Sequence, residues 1–169
     1  MISSEFKNIC IHLRRAWFNC WCYYALYVLT GKTYRIRVSN VGTSTSLNFR
    51  IQNHNMLLVE TEGSYVSQQN YTTLDIHVGQ SYSFLVTMDQ NASSDYYMVA
   101  SARFVNTTIW SHVTGVAILH YSNSKAAASG PLPPPPDDQY DPNWSVNQAR
   151  SIRYVSLIYK VCLNYYHMF

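Results

Sequence analysis

An all-β fold, two antiparallel sheets packed face to face with irregular N- and C-terminal extensions, is what this sequence predicts, and three observations carry the prediction. From Gly31 to about Asn123 the chain alternates apolar and polar side chains in short runs, and a period of two places each set on one face of a strand. Gly, Asn, Asp and Ser punctuate those runs at turn positions. No run there has a convincing helical stripe. Roughly seven strands then have only one another to pack against, which gives a β-sandwich with Greek-key links.

The elements follow in chain order. In KTYRIRVS, Tyr34, Ile36 and Val38 share one face; in LNFRIQN, Leu47, Phe49 and Ile51 do the same, and MLLVE supplies a third strand. LDIHVGQSYSFLV reads as a hairpin, with Leu74, Ile76 and Val78 running out, a Gly-Gln turn, and Tyr82, Phe84 and Val86 running back. His77 then falls on the face opposite the apolar residues, as a solvent-side strand residue. YYMVASARF and TGVAILHY complete the set. A core of roughly ninety residues suffices for independent folding, with little margin.

Of 169 residues, 47% are hydrophobic and only 12% charged, with 15 tyrosines. Such a chain builds a core and covers its surface with Ser, Thr, Asn and Tyr, as secreted β proteins do. The net charge of +3 is spread thinly, Arg14-Arg15 being the one adjacent basic pair. Arg35 and Arg37 share a strand face, but Tyr34 and Phe49 fall on the opposite side. Neither a phosphate-tracking patch nor an RNA-reading sheet is expected, so nucleic acid is not a partner.

Residues 1–30 form a separate segment. Basic residues precede the apolar run AWFNCWCYYALYVL, but Asn19 interrupts it and no small-x-small cleavage site precedes Gly31. Neither a convincing signal peptide nor a transmembrane segment is read there. Residues 31–123 form the sandwich. Residues 124–153, which include SGPLPPPPDDQYDP, read as a proline-rich interdomain linker with nothing to bury. A PxxP ligand for an SH3 or WW domain is its functional alternative, although no Arg or Lys sits at the run. Residues 154–169 are apolar and aromatic without a period. Cys10, Cys20, Cys22 and Cys162 all lie outside the patterned region. Cys20-x-Cys22 lacks a second thiolate pair, so unpaired thiols are expected rather than a metal site.

Chemistry is sparse. Copper or zinc sites on sandwiches need imidazoles converging from adjacent strands or set in His-x-His pairs. None of His12, His54, His77, His112, His120 and His167 forms such a pair. His54 lies in the turn QNHN and is expected to bond nearby backbone. His120 alternates with Val116 and Ile118, which places it on the apolar side near a strand end, partly buried and hydrogen bonded. Glu60 and Glu62 share a face at i and i+2, too close to flank a bond from both sides, and are expected to form a solvated pair rather than an acid and base. No nucleophile elbow, phosphate loop or dinucleotide fingerprint is present. No catalytic and no metal-binding residue is assigned. N-x-S/T sequons at Asn70, Asn91, Asn106 and Asn143, read as lying in turns or the linker, are glycosylation candidates for a chain that enters the secretory pathway.

The blocks GKTYRIRVSNVGTSTSLNFRIQNHNMLLVETEGSYVSQQNYTTLDIHVGQSYSFLVTMDQ, DYYMVASARF, TGVAILHYSNS and WSVNQARSIR resemble the middle, plastocyanin-like domain of plant multicopper-oxidase-like proteins. The match is to the ascorbate-oxidase homologues of the skewed-root (SKS), monocopper-oxidase-like and pollen-specific type, over about Gly31 to Arg153. The resemblance implies a cupredoxin fold in a secreted, extracellular glycoprotein of the cell wall with a growth-associated role. It implies the missing cupredoxin domains as partners, and self-association of the lone domain through the surface those neighbours would cover. Active relatives hold copper through His-x-His pairs and a His-Cys-His segment in their first and third domains. This chain has neither pattern, so no ligand carries over and no cofactor is expected in it. A non-catalytic domain is the leading reading. A contribution to a copper-dependent oxidoreductase of the ascorbate oxidase or laccase type comes second, and an interaction module using the proline run third. Matching stops at Arg153, and Arg-Tyr-Val can be encoded with a splice-donor signal. Residues 154–169 are therefore expected to be translated intron, and residues 1–30 similarly foreign.

Overall fold

The structure, a computed structural model, describes residues 9–13 (backbone only), 25–105, 114–136 and 142–155. In chain order its strands are β1 (Ile9–Leu13), β2 (Ala25–Val28), β3 (Thr33–Asn40), β4 (Leu47–Ile51), β5 (Met56–Thr61), β6 (Ser64–Tyr71), β7 (Thr73–Ile76), β8 (Ser81–Thr87), β9 (Tyr96–Ala102) and β10 (Thr114–Tyr121), followed by the helix α1 (Asn143–Ser151). They build two five-stranded sheets, β1-β3-β8-β5-β6 and β2-β10-β9-β4-β7. The pairings are antiparallel except that of β2 with β10, which is parallel.

The alternation read from the sequence fixes the core. Ile36, Val38, Leu58, Phe84 and Val86 of the first sheet face Phe49, Leu74, Ile76, Met98 and Leu119 of the second, all buried. Phe49 and Phe84 meet across the layers with ring centroids 5.8 Å apart. Each such side chain contributes about 1.5–3 kcal/mol of transfer free energy.

Alternation reports which face a strand buries, not which strand lies beside it, and here the expected hairpin gives way. β7 pairs with β4 in the second sheet and β8 with β3 and β5 in the first, so residues 77–80 carry the chain from one sheet to the other. Asn40 holds that crossing. Its backbone exchanges hydrogen bonds with Gly79 and Gln80, and its buried amide donates to the carbonyls of Thr45 and Ile76, each at 2.9 Å. Val78, expected on the apolar face, is exposed in this crossing.

The hairpin that does form joins β5 to β6 through Glu62 (φ 49°) and Gly63 (φ 84°). A two-residue hairpin loop with both φ positive matches the strand twist. β6 escaped the sequence reading because SYVSQQNY is polar and buries only Val66.

Further departures concern the flanks. β1 and β2 lie within residues 1–30 yet complete one edge of each sheet. Residues 124–153, expected to be a bare linker, form in their described parts, 124–136 and 142–153, a strap across the second sheet and around its β7 edge. Ala126 receives the N–H of Asp95, Ala128 the hydroxyl of Tyr97, Ser129 the Gln52 amide and Pro133 the Arg50 Nε. Proline-rich backbone leaves its carbonyls unpaired, so side-chain donors on a sheet can fix it with no apolar residue in the segment. α1 then docks on its polar face, burying Ser145 and Gln148 while Trp144 and Val146 are exposed. That inverted amphipathicity hides the helix from an apolar-stripe reading. Beyond it, Tyr154 bridges to Val66, so the strap ends on the edge of the first sheet. No helix among the described residues is long and apolar enough to cross a membrane.

Candidate functional site

The register sets Ser101, Asn48 and Asp75 in one row across β9, β4 and β7, with Arg50 beside Thr73 one pair further along. Under the strap this outer face of the second sheet is as dry as the core: Asn48 and Asp75 have no exposed surface, and Arg103 and Arg50 only 2% and 4%. Buried charge is tolerated only with excellent pairing and hydrogen bonding. Arg103 Nε donates to Asp75 Oδ2 at 3.1 Å, and Asn48 donates to Asp75 Oδ1 at 2.6 Å. Asn48 Oδ1 in turn accepts from Thr73 and from Arg50 Nη1, which also donates to Ser101 Oγ at 2.8 Å. Burial pulls the Arg50 guanidinium down to about 10, against the field of Asp75. Gln148 closes the edge, accepting from the Asp75 N–H at 2.7 Å and donating to its carbonyl at 2.8 Å.

The histidines stand apart from one another. His77 is not a solvent-side strand residue. It is half-buried, its Nδ1 and Nε2 bonded to the hydroxyls of Ser46 and Ser145 at 2.8 and 2.9 Å, and its ring stacks on Phe104. Its position just past β7 brings it under α1. His54 bonds nearby backbone as expected, through Nδ1 to the Gln52 carbonyl at 2.7 Å. It is also buried, with Nε2 2.7 Å from the Tyr121 hydroxyl. A carbonyl only accepts, so Nδ1 carries the proton and the neutral ring receives the Tyr121 O–H. Burial lowers the His54 pKa and raises that of Tyr121 to about 12. His120 is hydrogen bonded to Asp95 at 2.9 Å, but on the partly exposed outer face with Val116 and Ile118. Ala117, Leu119 and Tyr121 line the inner one. His12 has only its backbone described, and His112 and His167 lie outside the described residues, as do Cys20, Cys22 and Cys162.

Glu60 and Glu62 do not form a solvated pair. A bulge between Leu58 and Glu60 breaks the period of two. Glu60 is 5% exposed and paired with Arg35 and Arg37, while Glu62, in the β5–β6 turn, accepts the Ser81 N–H. Of the sequons, Asn70, Asn91 and Asn143 are exposed. Asn70 lies in β6 and Asn143 opens α1, rather than in a turn and a bare linker; Asn91 is in a loop, its side chain accepting from the Ser93 N–H. Asn106 lies outside the described residues.

The strap also walls a groove of ≈ 770 Å³, with Pro133–Pro136 on one side, Trp144 and Asn147 on the other, and Arg50, Asn53 and Asn55 among the residues lining it. The signal for this region was present in the sequence: Asn48, Arg50, Asp75, Ser101 and Arg103 put both signs of charge on the outer positions of three strands. Composition alone does not say that a polar segment covers them.

Among the described residues no three His, Cys, Asp or Glu side chains are grouped to hold a metal ion. His54 and His77 have both ring nitrogens occupied by protein partners. These residues do not fit a copper site.

Comparison with known proteins places this geometry. Residues 19–124 match the family model of the multicopper oxidases. The chain is 75% identical over 124 residues to the monocopper oxidase-like protein SKU5 of Arabidopsis thaliana, covering 73% of this chain and 21% of the relative. It is 37% identical over 120 residues to an L-ascorbate oxidase of Cucurbita pepo var. melopepo, covering 70% and 21%. The chain thus spans about a fifth of the length of these curated relatives. Among solved structures, the multicopper oxidase Fet3p superposes with a TM-score of 0.60 at 22% identity, over 69% of this chain and 23% of that one. A Botrytis aclada laccase superposes at 0.55 and 24%, over 72% and 24%. Both likenesses establish the cupredoxin-like fold.

Proposed function

Since the chain belongs to the multicopper oxidase family, we propose that it serves as a non-catalytic plastocyanin-like domain of an SKS-type secreted glycoprotein, spacing its neighbours without a copper site of its own. The observation that carries this reading is the commitment of the imidazoles: His54, His77 and His120 are each tied to separate protein partners on different parts of the sandwich. A ligand must be free to converge with others. Identity with the SKU5-type relatives supports an extracellular, cell-wall and growth-associated role, and exposed Asn70, Asn91 and Asn143 suit glycan attachment. The partners are further cupredoxin domains. The outer face of the first sheet, where exposed Tyr65, Tyr154 and Val155 rim a recess of ≈ 910 Å³ floored by Val59 and Leu85, is the surface they would cover. Left uncovered, it drives self-association.

Copper analysis of the purified, copper-reconstituted chain tests the reading. Less than a tenth of an equivalent is expected, and stoichiometric tightly held copper would overturn it. A second reading, contribution to a copper-dependent oxidoreductase, draws on the identity with L-ascorbate oxidase. It requires the other domains to bring every ligand.

A further inference from the structure

Arg50 is the group the fold leaves unexplained. It sits in β4 beneath the strap, makes no ion pair among the described residues, and spends Nη1 and Nε on neutral acceptors: Asn48, Ser101 and, at 2.6 Å, the carbonyl of Pro133. Among the described residues nothing accepts from Nη2. An unanswered donor on a buried charged group is costly, and natural structures keep few of them. Nε and Nη2 share one edge of a guanidinium. Nη2 therefore lies on the Pro133 side, toward the groove that Arg50 lines.

The rest of that groove has a definite chemistry. Its ≈ 770 Å³ lies within the range of small-molecule sites. Arg50 is the one charged side chain in its described lining, so its charge favours an anion. Trp144, 37% exposed, offers an apolar ring face. Asn53, Asn55 and Asn147 offer amides that both donate and accept, which suits a ligand covered with hydroxyls rather than a plain aromatic acid.

We propose that this groove binds an acidic saccharide, with its carboxylate on Arg50 Nη2, a ring face against Trp144 and its hydroxyls on the asparagine amides. Carboxylate and guanidinium form a charge-assisted hydrogen bond, the strong kind. The binding is noncovalent and needs no metal. It does not depend on the absence of copper argued above.

The test is calorimetric titration of the full chain with trigalacturonate, with maltotriose and benzoate as comparisons. Saturable 1:1 binding of trigalacturonate is expected, at least about tenfold tighter than either comparison. Trp144→Ala should weaken it by about tenfold. Arg50→Lys, which keeps the charge and loses Nη2, should do at least as much. If Arg50→Lys fails to fold, Asn147→Ala on the exposed side of α1 takes its place, with a loss of about threefold expected. No saturable binding, equal binding of maltotriose, tighter binding of benzoate, or indifference to Trp144→Ala would each overturn the proposal.

Discussion

Replacing Gln148 with alanine is the most direct way to ask whether the strap is part of the domain. β7 is the outermost strand of its sheet, and the N–H and C=O of Asp75 point away from β4 to a single side-chain amide, at 2.7 and 2.8 Å. Gln148→Ala leaves both groups without partners in a place where Asp75 has no exposed surface. Each unsatisfied buried group costs about 1–3 kcal/mol. Water enters partly through the shortened side chain, so the lower figure applies to each, and the sum is about 2 kcal/mol. For a chain of this size that lowers the melting temperature by roughly 4–8 °C. Urea denaturation gives the free energy, and hydrogen exchange at the Asp75 amide gives the place. Asn147→Ala, one residue away and exposed, serves as control and should stay within about 0.5 kcal/mol of the parent. A Gln148→Ala effect no larger than the control's, with the Asp75 amide equally protected, would mean that α1 does not sit on β7.

Asp75→Asn keeps the shape but removes the charge opposite Arg103, and should cost about 3 kcal/mol in denaturant titrations; an unchanged midpoint would show the pair to be dispensable. Gly63→Ala meets no atom within 4 Å, so its expected loss of about 1–2 kcal/mol is purely the backbone strain of φ +84° and should appear as faster unfolding. His54 titrates lower in the folded chain than its ordinary 6.5, because burial disfavours the charged ring. The unfolded chain then takes up the proton first, so stability falls as pH drops below about 6.5 and levels off beneath the folded pKa. His54→Gln should remove that part of the acid dependence, and a melting temperature with the same pH slope in parent and variant would refute the assignment.

What was legible in the sequence follows from what periodicity measures. Leu47, Phe49 and Ile51, or Tyr82, Phe84 and Val86, declare a buried face because the core is apolar, and the seven strands so marked all form. Neighbours are another matter. Nothing in LDIHVGQSYSFLV distinguishes a hairpin from a crossing between sheets, since either buries Leu74, Ile76, Tyr82, Phe84 and Val86, and Asn40, which secures the crossing, is far away in sequence. One bulge reset the parity of β5, so Glu60, which a strict period of two would set on the core side with Met56 and Leu58, lies on the outer face against Arg35 and Arg37. The network around Asp75 was hidden for a different reason: its cover is held by hydrogen bonds to carbonyls and by a helix whose buried face is Ser145 and Gln148, and polar burial leaves no hydrophobic signature.

The end of the strap has a mechanical consequence. Tension on the chain beyond Val155 first meets two hydrogen bonds, Ser67 N–H to the Arg153 carbonyl and Val155 N–H to the Tyr65 carbonyl, at the rim of the first sheet. Such contacts at a strand edge peel one after another. Next come the Tyr71–Ser151 contact and the Gln148 clasp, and only later the Arg50–Pro133 bond. A pull from a neighbouring domain would thus be absorbed as a graded unfastening of the cover, opening the Arg50 groove while the sandwich core still carries no load.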